Sequence, residues 1–147
     1  MKIIIVGAGK VGYSVAKILS EEGHDITVID RDPETITHLS NELDVICVEG
    51  SATNHETLLG AGAAEADLLM AATQQDEVNM VCGITARKLG TKHVIARIRD
   101  TEYLRQTEFL REVLGLSITI NPEYECAKEI ARIPVSYTHL RAHETRG

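Results

Sequence analysis

MKIIIVGAGKVGYSVAKILS, residues 1–20, decides the fold. Lys2 to Val6 is an unbroken run of mostly β-branched residues, glycines follow at 7, 9 and 12, and an amphipathic stretch begins at Lys10. A strand that ends in G-x-G-x-x-G and opens a helix needs bare backbone for three reasons. The first glycine permits the tight turn, the second lets the chain approach a pyrophosphate, and the third lets the helix pack closely on the strand. The helix start then offers unpaired N–H groups and a partial positive charge to phosphates. Glycines that serve only the turn and the packing would look the same, so the motif alone is weak. Its place between a strand and a helix gives it force.

Asp30 adds to that context. It closes the second strand, DITVID (residues 25–30), eighteen residues after Gly12. A carboxylate there accepts adenosine ribose hydroxyls and repels a 2′-phosphate, which favours NAD or another nucleotide with an unphosphorylated ribose over NADP. Arg31 works against that preference, since an arginine beside this position can accommodate a phosphate. Asp32 is better placed than Asp30 to cap the helix that Pro33 opens. Lys10 either adds charge to the phosphate loop or is a solvated first-turn lysine.

Beyond Asp30 the chain alternates strands and helices. Strands are expected at 44–49, 67–72, 93–98 and 117–120. Helices are expected at 33–42, from a Thr53-Asn54-His55-Glu56 capping box to Gly60 or Gly62, at 76–89 closed by Gly90, from an Asp100 cap to about Leu114, and at 122–133. The strand runs are apolar throughout and joined by helices, so they are buried on both faces and parallel. The fold class is α/β: a Rossmann-like doubly wound sheet of about six strands with helices on both faces, in two comparable halves.

Ligands in such sheets bind beyond the carboxyl ends of the strands. The third strand leads into Gly50-Ser51-Ala52-Thr53, small enough to leave room for an adenine edge. The fourth leads into Thr73-Gln74-Gln75-Asp76, and the fifth ends near Arg97 and Arg99. An arginine at a buried strand end is costly without an anion, so Arg97 either holds a phosphate or pairs with Asp76 or Glu77.

Composition narrows the classes. The chain has 147 residues, one domain's worth, and a formal net charge of −7 with scattered basic residues, which argues against a nucleic-acid surface. No apolar run approaches the ~20 residues that span a bilayer. Cys47, Cys82 and Cys126 lack zinc-site spacing and read as reduced, mostly buried thiols. No nucleophile–histidine or metal cluster is visible, GAGKVG lacks the G-K-[ST] ending of a nucleoside-triphosphatase loop, and the Tyr13/Lys17 pair sits too early in its helix for hydride chemistry.

GAGKVG, VIDRD, EGSAT, MAAT-x-x-DE-x-NM and IARIRD, in that order, resemble the N-terminal nucleotide-binding module of the regulator of potassium conductance family. The likeness is to the regulatory subunit of bacterial Trk-type potassium uptake systems and covers residues 1–133. It implies that Gly7, Ala8, Gly9, Lys10, Val11 and Gly12 hold phosphates. Asp30, Thr73, Gln74 and Arg97 complete the nucleotide site, and Ser51 and Ala52 approach the adenosine. It further implies NAD(H) or ATP/ADP as ligand and a non-catalytic sensor, cytoplasmic and peripheral at the inner face of the plasma membrane. The implied partners are an integral-membrane potassium transporter subunit and copies of the chain itself, in a dimer or higher ring. The alternative is the nucleotide domain of an NAD-dependent oxidoreductase without its substrate domain.

Relatives continue into a further subdomain, so a fragment of a longer protein is expected, with the apolar side of the last helix (Ala127, Ile130, Ala131) left open. Pro134 to Gly147 shows no apolar periodicity and reads as a non-native or disordered tail, frame-shifted, read-through or expression-derived.

Overall fold

A computed structural model describes residues 1–132; the expected tail, and Ile133 before it, lie outside the described residues. In chain order the elements are β1 (Lys2–Val6), α1 (Lys10–Glu21), β2 (Asp25–Asp30), α2 (Pro33–Glu42), β3 (Ile46–Glu49), α3 (His55–Gly60), β4 (Leu68–Ala71), α4 (Asp76–Leu89), β5 (His93–Arg97), α5 (Thr101–Leu104), α6 (Thr107–Leu114), β6 (Ser117–Thr119) and α7 (Pro122–Ala131). The strands form one sheet in the order β3-β2-β1-β4-β5-β6, and every pairing is parallel. This is the doubly wound order whose crevice opens where the chain reverses direction across the sheet, between β1 and β4.

The central strands are covered on both faces, whereas the edge strand β3, expected to be buried on both, leaves Ile46 exposed because no strand or helix among the described residues covers that flank. Side chains alternate between faces along a strand. Ile4, Val6, Leu69 and Ala71 pack with Leu58 of α3 and with Cys82 and Ala86 of α4. Ile3, Ile5, Leu68 and Met70 pack with Val15 and Leu19 of α1, Leu39 of α2 and Cys126 of α7. Val6 pairs with Ile29 on one side and with Ala71 on the other, so the tips of β1, β2 and β4 end level with one another.

Some boundaries differ from the sequence expectation, each for a local reason. The edge strand β3 starts at Ile46, because its ladder with β2 begins at Thr27↔Ile46; Val45 still packs into the core from outside the ladder. The α3 cap is Asn54 rather than Thr53: the Asn54 side chain accepts the Glu56 N–H at 2.8 Å. The single helix expected from Asp100 to Leu114 is two, α5 and α6. At the break the Thr107 hydroxyl donates to the Leu104 carbonyl at 2.7 Å, a local bond that competes with helix continuation. Asp32 caps α2 as expected, accepting from Glu34 N at 3.2 Å and the Thr35 hydroxyl at 2.8 Å. On α7, Cys126 is buried and Ile130 half-buried, while Ala127 and Ala131 stay exposed beside an apolar groove shared with Ile18 of α1. The three cysteines are free thiols, two of them buried. No helix among the described residues is long and apolar enough to cross a membrane.

Candidate functional site

The chain leaves β1 through Gly7 at φ +91°, a left-handed conformation that a side chain would strain. Its N–H donates to the Ile29 carbonyl at 2.9 Å, and a Cβ there would stand 3.0 Å from the Thr73 nitrogen and 3.1 Å from the Ala72 carbonyl oxygen. The turn therefore lies flush against the tip of β4. At Gly12 a Cβ would overlap the Gly7 carbonyl oxygen, so only glycine lets α1 sit this close to the turn. At Gly9 a Cβ would meet no protein atom within 4 Å. Gly9 is also the α1 cap, and no side chain occupies the first-turn N–H groups.

Above these glycines is a cavity of about 530 Å³, within the size range of small-molecule sites. Gly7, Ala8, Gly9, Lys10 and Val11 form its floor, Asp30 closes the β2 side, Ser51 and Ala52 the β3 side, and Thr73, Gln74 and Arg97 the β4 and β5 side. Of the twelve residues that the resemblance assigns to the nucleotide site, Gly12 stands behind the wall, in its packing role; Asp76 and Arg99, at the ends of the same strands, also lie outside the cavity. The cavity also takes in Arg31, Asp32, Thr35, Gly50, Thr53, Gln75 and Val78, which are neighbours in sequence of the expected set.

Asp30 does more than line the cavity. One carboxylate oxygen accepts the Ala8 N–H at 2.8 Å, the other accepts the Asp32 N–H at 2.9 Å, and its carbonyl accepts the Gly50 N–H at 3.0 Å. The glycine turn, the start of α2 and the β3 loop are thus tied to one residue. A carboxylate has about four acceptor positions, so two remain for a ligand. Across the cavity the Ser51 and Thr53 hydroxyls hydrogen-bond each other at 2.9 Å.

Both signs of charge line the cavity. Asp30 and Asp32 stand at the β2 tip, and the cations Lys10, Arg31 and Arg97 line the same space. Among the described residues none of these three cations enters an ion pair; the lysine and arginine pairs that exist lie elsewhere. The alternative partner for Arg97 is therefore overturned. Asp76 instead accepts the backbone N–H groups of Arg99 (3.1 Å) and Asp100 (2.7 Å), fixing the β5–α5 turn, and the Arg99 guanidinium donates to the Gln74 carbonyl at 3.0 Å.

Sequence reasoning missed Asn79. It is fully buried on α4, and its carboxamide oxygen accepts from the Thr73 N–H (2.9 Å) and hydroxyl (2.7 Å). Its nitrogen donates to the carbonyls of Thr73 (3.1 Å) and Arg97 (2.8 Å). A signal was available: positions 79, 82, 83 and 86 are the buried face of α4, and Asn79 is the one polar side chain among them.

The titrations that depart from ordinary values lie outside the cavity. Burial pushes the Cys82 and Cys126 thiols up to about 12, and the carboxylates of Glu77, Asp100 and Asp76, with some desolvation, raise the Tyr103 hydroxyl. Tyr13 stacks on His38 with ring centroids 6.0 Å apart, and Lys17 is exposed. The arrangement at the cavity suits holding an anionic ligand with a hydroxylated end: backbone donors and Lys10 on the floor, Arg97 at the β5 side, and the carboxylates of Asp30 and Asp32 with Arg31 between them at the β2 side.

A family model, the TrkA-N domain, matches residues 3–122. A curated relative, the Trk system potassium uptake protein TrkA homolog of Archaeoglobus fulgidus, is 39% identical over 133 residues, covering 90% of this chain and 30% of the relative. The chain thus spans less than a third of that relative's length. Among solved structures, the GsuK channel bound to NAD superposes with a TM-score of 0.69 at 23% identity, covering 81% of this chain and 21% of the channel chain. GsuK bound to ADP gives 0.68 at 24% identity, covering 80% and 30% respectively. At these identities the two likenesses establish the fold.

Proposed function

The chain belongs to the TrkA-N domain family, and we propose that it is the nucleotide-sensing module of a Trk-type potassium uptake regulator, holding NAD(H) or ATP/ADP in the cavity beyond β1 and β4. The observation that carries this reading is the convergence around one cavity of an uncapped helix start, the Asp30 carboxylate and the cations Lys10, Arg31 and Arg97, none of which is ion-paired among the described residues. Cations without a protein counter-ion around a cavity of this size favour a ligand that brings negative charge. That GsuK has been captured with NAD and with ADP supports adenine nucleotides as the class.

The roles follow from position. The backbone at Gly7–Gly9 and the first turn of α1 receive the phosphates, with Lys10 and Arg97 supplying charge-assisted bonds. Asp30 accepts the ribose hydroxyls through its free acceptor positions and disfavours a 2′-phosphate. Ser51 and Ala52 leave room for the base. Thr73 and Gln74 form the wall that senses what lies beyond the phosphates. A ligand shifts an assembly between two states only by its differential affinity for them. Regulation therefore requires that the ligand's state alter the β4 and β5 tips, and through them the contacts of this module with further copies and with a membrane-embedded transporter subunit.

The test is calorimetric titration of NADH, NAD, ADP, ATP and NADP into the chain. Binding of NAD(H) or an adenine nucleotide with discrimination against NADP is the expected result. Absence of binding by all of them would reject the reading, and nicotinamide oxidation or reduction with an added small substrate would favour the oxidoreductase alternative.

A further inference from the structure

The β4–β5 ladder stops at Ala71↔Ala96, short of the residues that face the cavity. Beyond that point the ladder pairs no further residues of β4 and β5, and Thr73 lies past its end. Asn79 supplies a tie at these two residues themselves, Thr73 and Arg97, while further out Asp76 and the Arg99 guanidinium bridge the segments that follow. Its carboxamide reaches Thr73 through three contacts and the Arg97 carbonyl through a fourth, so every donor and acceptor position of the side chain is used on these two residues. Asn79 itself is fully buried and does not line the cavity, whereas Thr73 and Arg97 both do.

The geometry points to Asn79 as a positioning residue that sets nucleotide affinity without touching the nucleotide, by holding the tips of β4 and β5 at the spacing where Thr73 and Arg97 serve one ligand. This inference rests on the nucleotide reading of the cavity. Three features make it more than a packing role. The bonds are to the main chain of Arg97 and to both main chain and side chain of Thr73, so they fix where the backbone places those side chains. The Thr73 hydroxyl donates to Asn79, which aims it away from free rotation. And a Cβ at Gly7 would stand 3.0 Å from the Thr73 nitrogen, so a Thr73 that drifts also disturbs the glycine turn. A residue so placed transmits a change at Thr73 to the Arg97 backbone within one side chain's length.

The experiment is a double-mutant cycle on the full chain, with the dissociation constants of NADH and ADP read by calorimetry and folding checked by circular dichroism. Asn79→Ala is expected to weaken binding by about tenfold or more, the loss of several coupled hydrogen bonds. Combined with Arg97→Ala, it should weaken binding by clearly less than the product of the single effects, because the first change has already misplaced Arg97. A purely structural asparagine would lower the melting temperature and leave the affinity of the folded fraction unchanged. That result, or factors that multiply, would overturn the inference and leave the nucleotide reading intact. If Asn79→Ala does not fold, Asn79→Ser, which keeps a small polar group but is too short to span Thr73 and the Arg97 carbonyl, replaces it in the cycle: weakened, sub-multiplicative binding supports the positioning role, and parental affinity overturns it. A parent chain that binds neither NADH nor ADP would overturn both readings together.

Discussion

The Asp30 carboxylate accepts the Ala8 N–H at 2.8 Å, binding the end of β2 to the middle of the glycine turn that follows β1. One side chain thereby shapes the floor of the cavity and supplies its anionic wall. Asp30→Asn keeps an acceptor for one of the two amides it holds, Ala8 or Asp32, and turns an NH2 group toward the other. Calorimetry should give NADH binding weaker by about tenfold to a hundredfold, from loss of a charge-assisted bond of about 1.5–3 kcal/mol. The ratio of NADP to NAD affinity should rise as the repelling charge disappears. An unchanged ratio would remove Asp30 from the ribose position.

Gly9 and Gly12 separate affinity from stability. Gly12→Ala drives a methyl group into the Gly7 carbonyl oxygen and should cost about 1–3 kcal/mol in urea denaturation, as overpacking does. Gly9→Ala meets no protein atom within 4 Å and should cost no more than about 1 kcal/mol, an N-cap effect, while nucleotide affinity falls at least about tenfold. Equal stability losses would contradict the geometry.

Arg97 and Asp76 are the pair that charge alone would have joined, and the structure gives them different work. Arg97→Ala should weaken nucleotide binding by about tenfold to a hundredfold and flatten its salt dependence, with little change in unfolding midpoint. Asp76→Ala removes the acceptor for the Arg99 and Asp100 N–H groups and should cost about 1–3 kcal/mol of stability, with affinity nearly unchanged. Reversed outcomes in denaturation and calorimetry would restore the ion pair.

The thiols give a check on the core. Cys82 and Cys126, raised to about 12 by burial, stay protonated and should resist alkylation until the chain unfolds, leaving half-buried Cys47 to react first. In the unfolded chain the same thiols ionise near 9.0. Between those values the folded state holds more protons than the unfolded one, so this contribution to stability is intact below pH 9 and is lost as pH rises toward 12. Urea midpoints that hold steady across that window, or a Cys82 that labels as fast as Cys47, would show the core to be more open than described.

Much was legible because local chemistry and tertiary need coincided. The glycine spacing, Asp30 at a strand end and apolar runs separated by helices name both the sheet and its cavity-facing rim, and Lys10, Ser51, Ala52, Thr73, Gln74 and Arg97 fall on that rim because they end or follow strands. Legibility failed where two acceptable local choices competed. Thr53 and Asn54 can each cap α3, and Asn54 takes the role. The stretch from Asp100 to Leu114 is helical by propensity on both sides of Thr107, whose hydroxyl bond to Leu104 cannot be weighed before the chain is folded.

Strand order, the pairing of charges and the work of Asn79 belong to the third dimension. Residue types and spacing suffice for the α/β class, the bare turn at Gly7–Gly12 and the acid at position 30, because those depend on backbone sterics and on contacts within one β-α-β stretch. It takes the folded sheet to show that Asp76 holds backbone amides while Arg97 has no counter-ion among the described residues, and that Asn79 joins two strand tips. These outcomes depend on distances between segments eighteen or more residues apart, which side-chain type and spacing leave open until the sheet sets them.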